Sequence, residues 1–329
     1  MTTEAIASHG NGRSTEDMRR REALLVQVNQ VMAERGWAKA EAARRSGVGH
    51  GTFSQWHSGT YAGRFDSVNE RIATWLGNLD QVEEVAASVP VSPGYLQLGF
   101  SIEVERMLSV AQVMGTMVMV TAEAGVGKTF AGREYIRTHA NAHLVTISPH
   151  TRTIHNMLAE IAATIGVEER SASRLVRAIA RRLQRTGDGT LLVIDEAQNL
   201  NDDAINQLRH FVDDPACRCG VALLGNSATY ARLSQWGKGE KYGQLTRRIF
   251  KRIKLDRPTA DDLATFIEGW GITEPSQVEY LMGVGMKPGA LGQVDMTIKL
   301  ARMVAQGAGR ALTLADLRGA WSNRDVELG

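Results

Sequence analysis

The segment Ala122-Glu-Ala-Gly125-Val-Gly127-Lys128-Thr129 follows a short apolar run and has the residue types needed to hold a triphosphate. It matches G-x-x-x-x-G-K-[ST] except that Ala122 stands at the first position. A loop of this pattern turns its backbone N–H groups inward and sets a helix N-terminus against the anion. It also supplies an ammonium to the outer phosphates and a hydroxyl to magnesium. Gly125 and Gly127 permit the tight loop, Lys128 is the ammonium and Thr129 the hydroxyl. Ala124, Gly125, Val126, Gly127, Lys128, Thr129 and Phe130 are therefore the expected cofactor-binding stretch.

The run Leu191-Leu-Val-Ile-Asp195-Glu196 ends in two carboxylates. An Asp at the carboxyl end of an apolar strand can join the Mg²⁺ shell, and the next Glu can orient or deprotonate the attacking water. Thr129 and Asp195 are thus the expected metal residues, Asp195 a cofactor residue as well, and Glu196 the catalytic base. Asn226 closes the next apolar run, where its side chain could sense the γ-phosphate; capping a turn before Ser227 is the alternative. In Leu245-Thr-Arg247-Arg248-Ile249-Phe-Lys251-Arg252 an arginine could reach a neighbouring subunit's nucleotide, or simply line a solvated basic surface.

These residues need a scaffold, and the chain alternates strand and helix where they lie. Strands are expected at Met117–Ala122, His143–Ser148, Leu191–Asp195, Val221–Asn226 and near Ile253, with helices at Thr153–Ile165 and Ser173–Arg185. Strands apolar on both faces, with helices between, imply a parallel sheet covered on both sides. Ligands of such α/β sheets sit at the carboxyl ends of the strands. Before the sheet, Leu24, Val28 and Val31 recur at helical spacing behind a cap at Ser14 or Thr15, and Gly36 ends that helix. After Thr259 the pattern is helical, broken at Lys287-Pro288-Gly289. The Pro/Ser/Gly content of Ala86–Gly94 reads as a linker. The expected domains are 1–85, a linker at 86–94, a nucleotide-binding domain at 95–257 and a helical domain at 258–329.

With 329 residues, 43% hydrophobic and 22% charged, the chain is globular in composition. Its formal net charge of +2 means that nucleic acid, if held, is held by local basic patches. The two cysteines, Cys217 and Cys219, cannot complete a tetrahedral zinc site and read as reduced thiols in a loop before a strand. No secretory signal and no run of about 18–20 apolar residues is present, so a cytoplasmic protein without a membrane is expected.

Together the phosphate loop, the Ile194–Ala197 quartet IDEA and Asn226 resemble an AAA+ ATPase. The order of a small helix-turn-helix, an ATPase and a helical tail carrying Lys287-Pro-Gly-Ala-Leu291 resembles the phage Mu transposition protein B family. Ala131-Gly-Arg-Glu-Tyr135, Leu224-Gly-Asn226 and Arg248-Ile249 also fit. The resemblance runs over nearly the whole chain. It implies Lys128 and Thr129 as the Walker A pair, Asp195 and Glu196 as Walker B, Asn226 as sensor 1 and Arg248 as the arginine finger. In place of a sensor-2 arginine, Gly292-Gln293 follow Ala290-Leu291, with Lys287 the basic residue nearby.

Ala43, Gly47, Phe53 and Trp56 suit a helix-turn-helix with its second helix near Lys39–Arg45 and its recognition helix near His50–His57. The exposed set is poor in base-reading chemistry, with Gln55 able to address adenine. Lys39, His50, Thr52 and Gln55 are the DNA candidates here. Arg174, Arg177, Arg181 and Arg185 share one face of a helix whose opposite face carries Val176, Ile179 and Leu183. Arginine favours phosphate, so Arg174, Arg177 and Arg181 are candidates too, and by AAA+ analogy so is Arg152.

The resemblance therefore implies an AAA+ fold with an N-terminal helix-turn-helix and a C-terminal helical lid, using ATP and Mg²⁺. The implied function is an ATPase, slow and stimulated by its partners, that binds double-stranded DNA with little sequence preference. It would form an ATP-dependent homo-oligomer on target DNA, recruit and activate a DDE-type transposase, and leave on hydrolysis, in the cytoplasm of a bacterium or phage-infected host. A nucleotide-switched transcription regulator and a helicase loader are the alternatives.

Overall fold

The computed structural model describes residues 14–186, 189–236 and 248–324. The chain forms two compact units, Met1–Val89 and Pro90–Gly329.

The first unit is helical: α1 (Thr15–Arg35), α2 (Lys39–Ser46), α3 (His50–Ser58) and α4 (Phe65–Ser88). Ser14 caps α1 in a reciprocal pair with Asp17, and Gly36, at φ 63°, ends it. Gly47, at φ 67°, turns the chain from α2 toward α3. Ala43, Phe53 and Trp56 are buried, as a helix-turn-helix core requires. Trp56 Nε1 donates to Asn69 Oδ1 at 2.8 Å, and Asn69 Nδ2 donates to the Asp17 carbonyl at 2.9 Å, so a buried amide ties α3, α4 and α1 together. The linker expected at 86–94 begins later than its composition implies, because α4 continues to Ser88 before Pro90.

Arg21 is the buried cation of this unit. Its Nε donates to the Trp56 carbonyl at 2.7 Å and its Nη2 to the His57 carbonyl at 2.8 Å, satisfying the last turn of α3. Replacing Arg21 by Met keeps the apolar stem but removes both charge-assisted bonds, the Trp56 carbonyl keeping only the Gly59 N–H at 3.2 Å. The expected result is a first unit destabilised by about 2–3 kcal/mol. Thermal unfolding followed by the tryptophans of this unit measures it, and an unchanged midpoint would show that the contact is dispensable.

The second unit is built on a five-stranded parallel sheet in the order β2-β3-β4-β1-β5. The strands are β1 (Met117–Ala122), β2 (Ala142–Thr146), β3 (Leu191–Asp195), β4 (Gly220–Gly225) and β5 (Ile249–Leu255). The two central pairs show why both faces are apolar. Met117, Met119, Leu192, Ile194, Val221 and Leu223 enter one core, while Val118, Val120, Leu191, Val193, Ala222 and Leu224 enter the other. The second core is closed by α5 (Gly99–Met114) and α6 (Lys128–Thr138). The first is closed by α7 (Ile154–Thr164), α8 (Ala172–Thr186) and α9 (Asp202–Asp213). Helix α10 (Ser227–Trp236) follows β4.

The helical tail comprises α11 (Ala260–Gly269), α12 (Pro275–Gly285), α13 (Ala290–Gly307) and α14 (Leu314–Ser322), with a core of its own around Leu263, Trp270, Val294, Ile298 and Trp321. Thr259 caps α11 in a reciprocal pair with Asp262, and Asp262 also accepts from the Gly99 N–H at 2.6 Å, fastening the tail to α5. Cys217 and Cys219 are free, buried thiols ahead of β4. Among the described residues no helix is long and apolar enough to cross a membrane.

Candidate nucleotide site

Three strand ends meet at the carboxyl edge of the sheet. The register sets Thr121 beside Gly225 and Ile194 beside Leu223, so Ala122 and Asn226 leave neighbouring strands at one level, while Asp195 ends β3 beside Leu224, two residues short of it. The loop after β1 is shaped by Gly125 at φ 79° and Gly127 at φ 110°, and Gly127 is the N-cap of α6. Val126 between them is fully buried and pins the loop to the core beneath α6. Ala124 and Phe130 are exposed and Thr129 half-buried at the loop's rim.

Lys128 is 9% exposed, and its Nζ donates to the carbonyls of Ala122 at 2.6 Å and Glu123 at 2.8 Å. Burial pushes its pKa down, while the carboxylates of Glu196, Asp195 and Glu123 act in the opposite direction. Thr129 Oγ1 donates to Asp195 Oδ2 at 2.8 Å, so the hydroxyl and carboxylate expected to share a cation are already in contact. The donor set is oxygen only, which suits a hard divalent ion.

Glu196 stands at φ 56°, a left-handed conformation uncommon for a residue with a side chain. Its N–H donates to Asp195 Oδ1 at 3.0 Å, and its carbonyl accepts from Asn199 N–H at 2.9 Å. Asn226 Oδ1 accepts from the N–H groups of Ala228 at 3.0 Å and Thr229 at 3.4 Å. That oxygen is therefore engaged in capping α10, the alternative weighed for it.

A cavity of about 240 Å³ adjoins the loop, lined by Pro93, Leu96, Leu98, Val126, Gly127, Phe130, Phe266, Leu291, Gly292 and Asp295 among others. Its walls are largely apolar, as a flat heterocyclic base requires. Phe130 stacks on Tyr95, with centroids 6.0 Å apart at 26°. The Tyr95 hydroxyl donates to Glu105 Oε1 and is pushed toward the neutral form by burial and by that carboxylate.

The tail reaches the same loop through the KPGAL segment. Gly289 and Ala290 both have positive φ, 92° and 42°, and the chain thereby turns into α13 against the loop. The Gly292 N–H donates to the Gly125 carbonyl at 3.0 Å. Ala290 packs in the core beneath α6, while the adjacent Leu291 packs in the core of the tail. Lys287 extends over the Trp321 ring, 4.7 Å from its centroid. The KPGAL segment, which breaks the helical pattern as its sequence implies, is a joint between two cores.

The remaining candidates are carried by other elements. Arg248 precedes β5, whose first residue pairs with Met117, at the amino-terminal end of the strands. That is roughly 20 Å along a strand from the phosphate loop, so Arg248 does not serve its own chain's site. Its Nε pairs with Asp213 Oδ1 at 3.0 Å. Arg247 lies outside the described residues. Arg152 is exposed in the loop after β2, and Arg174, Arg177, Arg181 and Arg185 are exposed along α8, opposite buried Leu175, Ile179 and Leu183. Lys39, His50 and Gln55 are exposed and Thr52 half-buried on α2 and α3.

Residues 114–233 match a family described as AAA domain, and residues 247–323 match one described as Mu B transposition protein, C terminal. The chain is an ATPase with an AAA domain, and it resembles Mu transposition protein B. The chain is 29% identical over 290 residues to the ATP-dependent target DNA activator B of Escherichia phage Mu, covering 88% of this chain and 90% of that one. It is 27% identical over 278 residues to the Mu-like prophage FluMu DNA transposition protein B of Haemophilus influenzae, covering 83% and 94%. Among solved structures it is similar to Cdc6p from Pyrobaculum aerophilum, with a TM-score of 0.58 at 15% identity over 74% of this chain and 71% of that one. It is also similar to the Aeropyrum pernix ORC2 protein, with a TM-score of 0.56 at 17% identity over 70% and 69%. These neighbours share the fold. As an ATPase the chain binds nucleotide.

Proposed function

We infer that this chain is an ATP-dependent, largely sequence-nonspecific DNA-binding ATPase that assembles on target DNA, recruits and activates a transposase, and is released when ATP is hydrolysed. One observation carries the reading. The tail that matches the Mu B C-terminal family is the element whose Gly289–Gly292 segment rests on the phosphate loop, so nucleotide state and the Mu B-like region share a contact. The relatives' names supply ATP dependence, target DNA and transposition.

In this reading ATP lies with its base in the cavity beside Phe130 and Leu291 and its phosphates under the amides of the β1 loop. Lys128 holds the outer phosphates. Thr129 and Asp195 hold Mg²⁺, which neutralises phosphate charge when bound. Glu196 accepts the proton of the attacking water. Asn226 keeps its amide nitrogen for sensing, its oxygen being occupied by α10. Phosphate contacts come from Arg152 and the exposed face of α8, and DNA contacts of the first unit from Lys39, His50, Thr52 and Gln55. The transposase is of the DDE type, and the setting is the cytoplasm of a bacterium or phage-infected host.

Arg248 acts on the nucleotide of a neighbouring copy, exchanging Asp213 for the γ-phosphate. An arginine supplied in this way is worth about 10³-fold in turnover or more. Lys128→Ala lacks nucleotide but keeps its finger, and Arg248→Ala keeps nucleotide but lacks its finger. Each variant alone is expected to be inactive, and an equimolar mixture to recover part of the activity at interfaces that combine an intact site with an intact finger. A mixture no more active than its components would remove the shared site. The assembly itself is tested by electron microscopy on an arbitrary duplex: continuous coverage with ATP is expected, and one protected palindrome would favour a regulator instead.

A further inference from the structure

Gln198 belongs to no motif singled out in the sequence, yet its carboxamide joins two strand ends of the nucleotide site. It lies in the 3-10 turn Ala197–Asn199 that follows Glu196. Its Nε2 donates to Glu196 Oε2, and its Oε1 accepts the main-chain N–H of Asn226 at 3.3 Å. The orientation of the amide follows from chemistry, since a carboxylate can only accept and a main-chain N–H can only donate. Gln198 is itself held: its carbonyl accepts from Arg232 Nη1 at 3.4 Å, and the neighbouring Asn199 Nδ2 donates to the Ile147 carbonyl at 2.7 Å. The turn is thus anchored to the ends of β2 and β4 while it presents one donor to Glu196.

We propose that Gln198 is a positioning residue for ATP hydrolysis: it occupies one oxygen of the Glu196 carboxylate and leaves the other aimed at the water. The geometry explains why the left-handed backbone at Glu196 is retained. With Glu196 at φ 56° its side chain meets a residue two places later, so the left-handed backbone and the side-chain contact support each other. The same contact links the base to the start of α10, because one amide bridges Glu196 and Asn226. This inference rests on the reading of Glu196 as the base.

The test uses the full chain with saturating ATP and Mg²⁺, following kcat, KM and their pH profiles, with nucleotide binding measured separately. Gln198→Ala frees the carboxylate to rotate. The expected result is kcat lower by about 10- to 100-fold, as for a misaligned catalytic group, with KM and nucleotide affinity within about twofold of wild type. Gln198→Glu is nearly isosteric but sets a second carboxyl against Glu196. Two carboxylates in contact share a proton, so the acid limb of the kcat profile is expected to move up by more than about one pH unit. Activity should then return as pH is raised, which a merely structural role would not produce. Wild-type kcat and pH profile in both variants would overturn the proposal, and so would loss of nucleotide binding in parallel with turnover. Glu196→Gln separates the two readings. If that variant is inactive while both Gln198 variants behave as wild type, Gln198 fails and the base stands. If it hydrolyses ATP normally, the base assignment fails first.

Discussion

Glu196→Gln is expected to lower ATP turnover by about 10²- to 10⁴-fold, the usual worth of a general base, while ATP binding persists. The substitution keeps the shape of the side chain and removes its capacity to accept a proton. Nothing that holds the phosphates is touched: Lys128 keeps its two carbonyl partners, and Thr129 keeps its contact with Asp195. One modest secondary effect is expected, because the Glu196 carboxylate supports the charged form of Lys128. Single-turnover hydrolysis and equilibrium nucleotide binding, measured side by side, read both quantities. Under the proposed cycle the variant also remains on DNA with ATP, since release follows hydrolysis. Hydrolysis at the wild-type rate would remove Glu196 from the chemistry, and with it the expectation drawn from the acidic end of β3.

The second large effect concerns the joint between the phosphate loop and the tail. Gly125→Ala faces two independent penalties. At φ 79° a side chain costs about 1–2 kcal/mol in backbone strain. The new Cβ would also lie 2.0 Å from the Gly289 carbonyl oxygen and 2.7 Å from its carbon. Overpacking of that kind costs about 1–3 kcal/mol more when the neighbour is backbone. The clash has no easy relief, because Gly292 N–H to Gly125 O holds the two segments together from the other side. The tail is therefore expected to move off the loop and to take the Leu291–Gly292 wall of the base cavity with it. A loss of ATP affinity of at least about tenfold, some 1.4 kcal/mol, should follow. Gly166→Ala is the control, since Gly166 has a similar φ of 71° and no atom within 4 Å of the added carbon. It should lose some stability and keep its nucleotide. Unaltered ATP binding in Gly125→Ala would show that the tail is not part of the site.

Much of the nucleotide-binding unit is legible without coordinates because local chemistry determines it. The limits of β1 and β3 coincide with the apolar runs at Met117–Ala122 and Leu191–Asp195, since a strand buried on both faces has to be apolar throughout. The phosphate loop declares itself through residues that lie next to one another in the chain. Helix α5 was less visible, although Phe100, Val104, Met107, Leu108 and Ala111 recur at helical spacing. No capping side chain marks its start, and its glycine and serine read locally as loop. Asn226 shows where a local signal divides. A polar residue at a strand end suits both a sensor and a helix cap, and hydrogen bonds to Ala228 and Thr229 show which role its oxygen fills.

By itself the sequence determined where a candidate triphosphate loop lies between an apolar strand and a helix, with two acids on a nearby strand, because those motifs are runs of contiguous residues. Tertiary structure alone decided what crosses between segments. It placed Gly289 and Gly292 against Gly125, it put Arg248 at the far end of the strands from its own nucleotide loop, and it set Gln198 between Glu196 and Asn226. The physical reason is that the Gly125 contacts with Gly289 and Gly292, and the Gln198 contact with Asn226, join segments brought together only by parallel crossovers and by packing of the tail. No spacing in the chain encodes such a meeting.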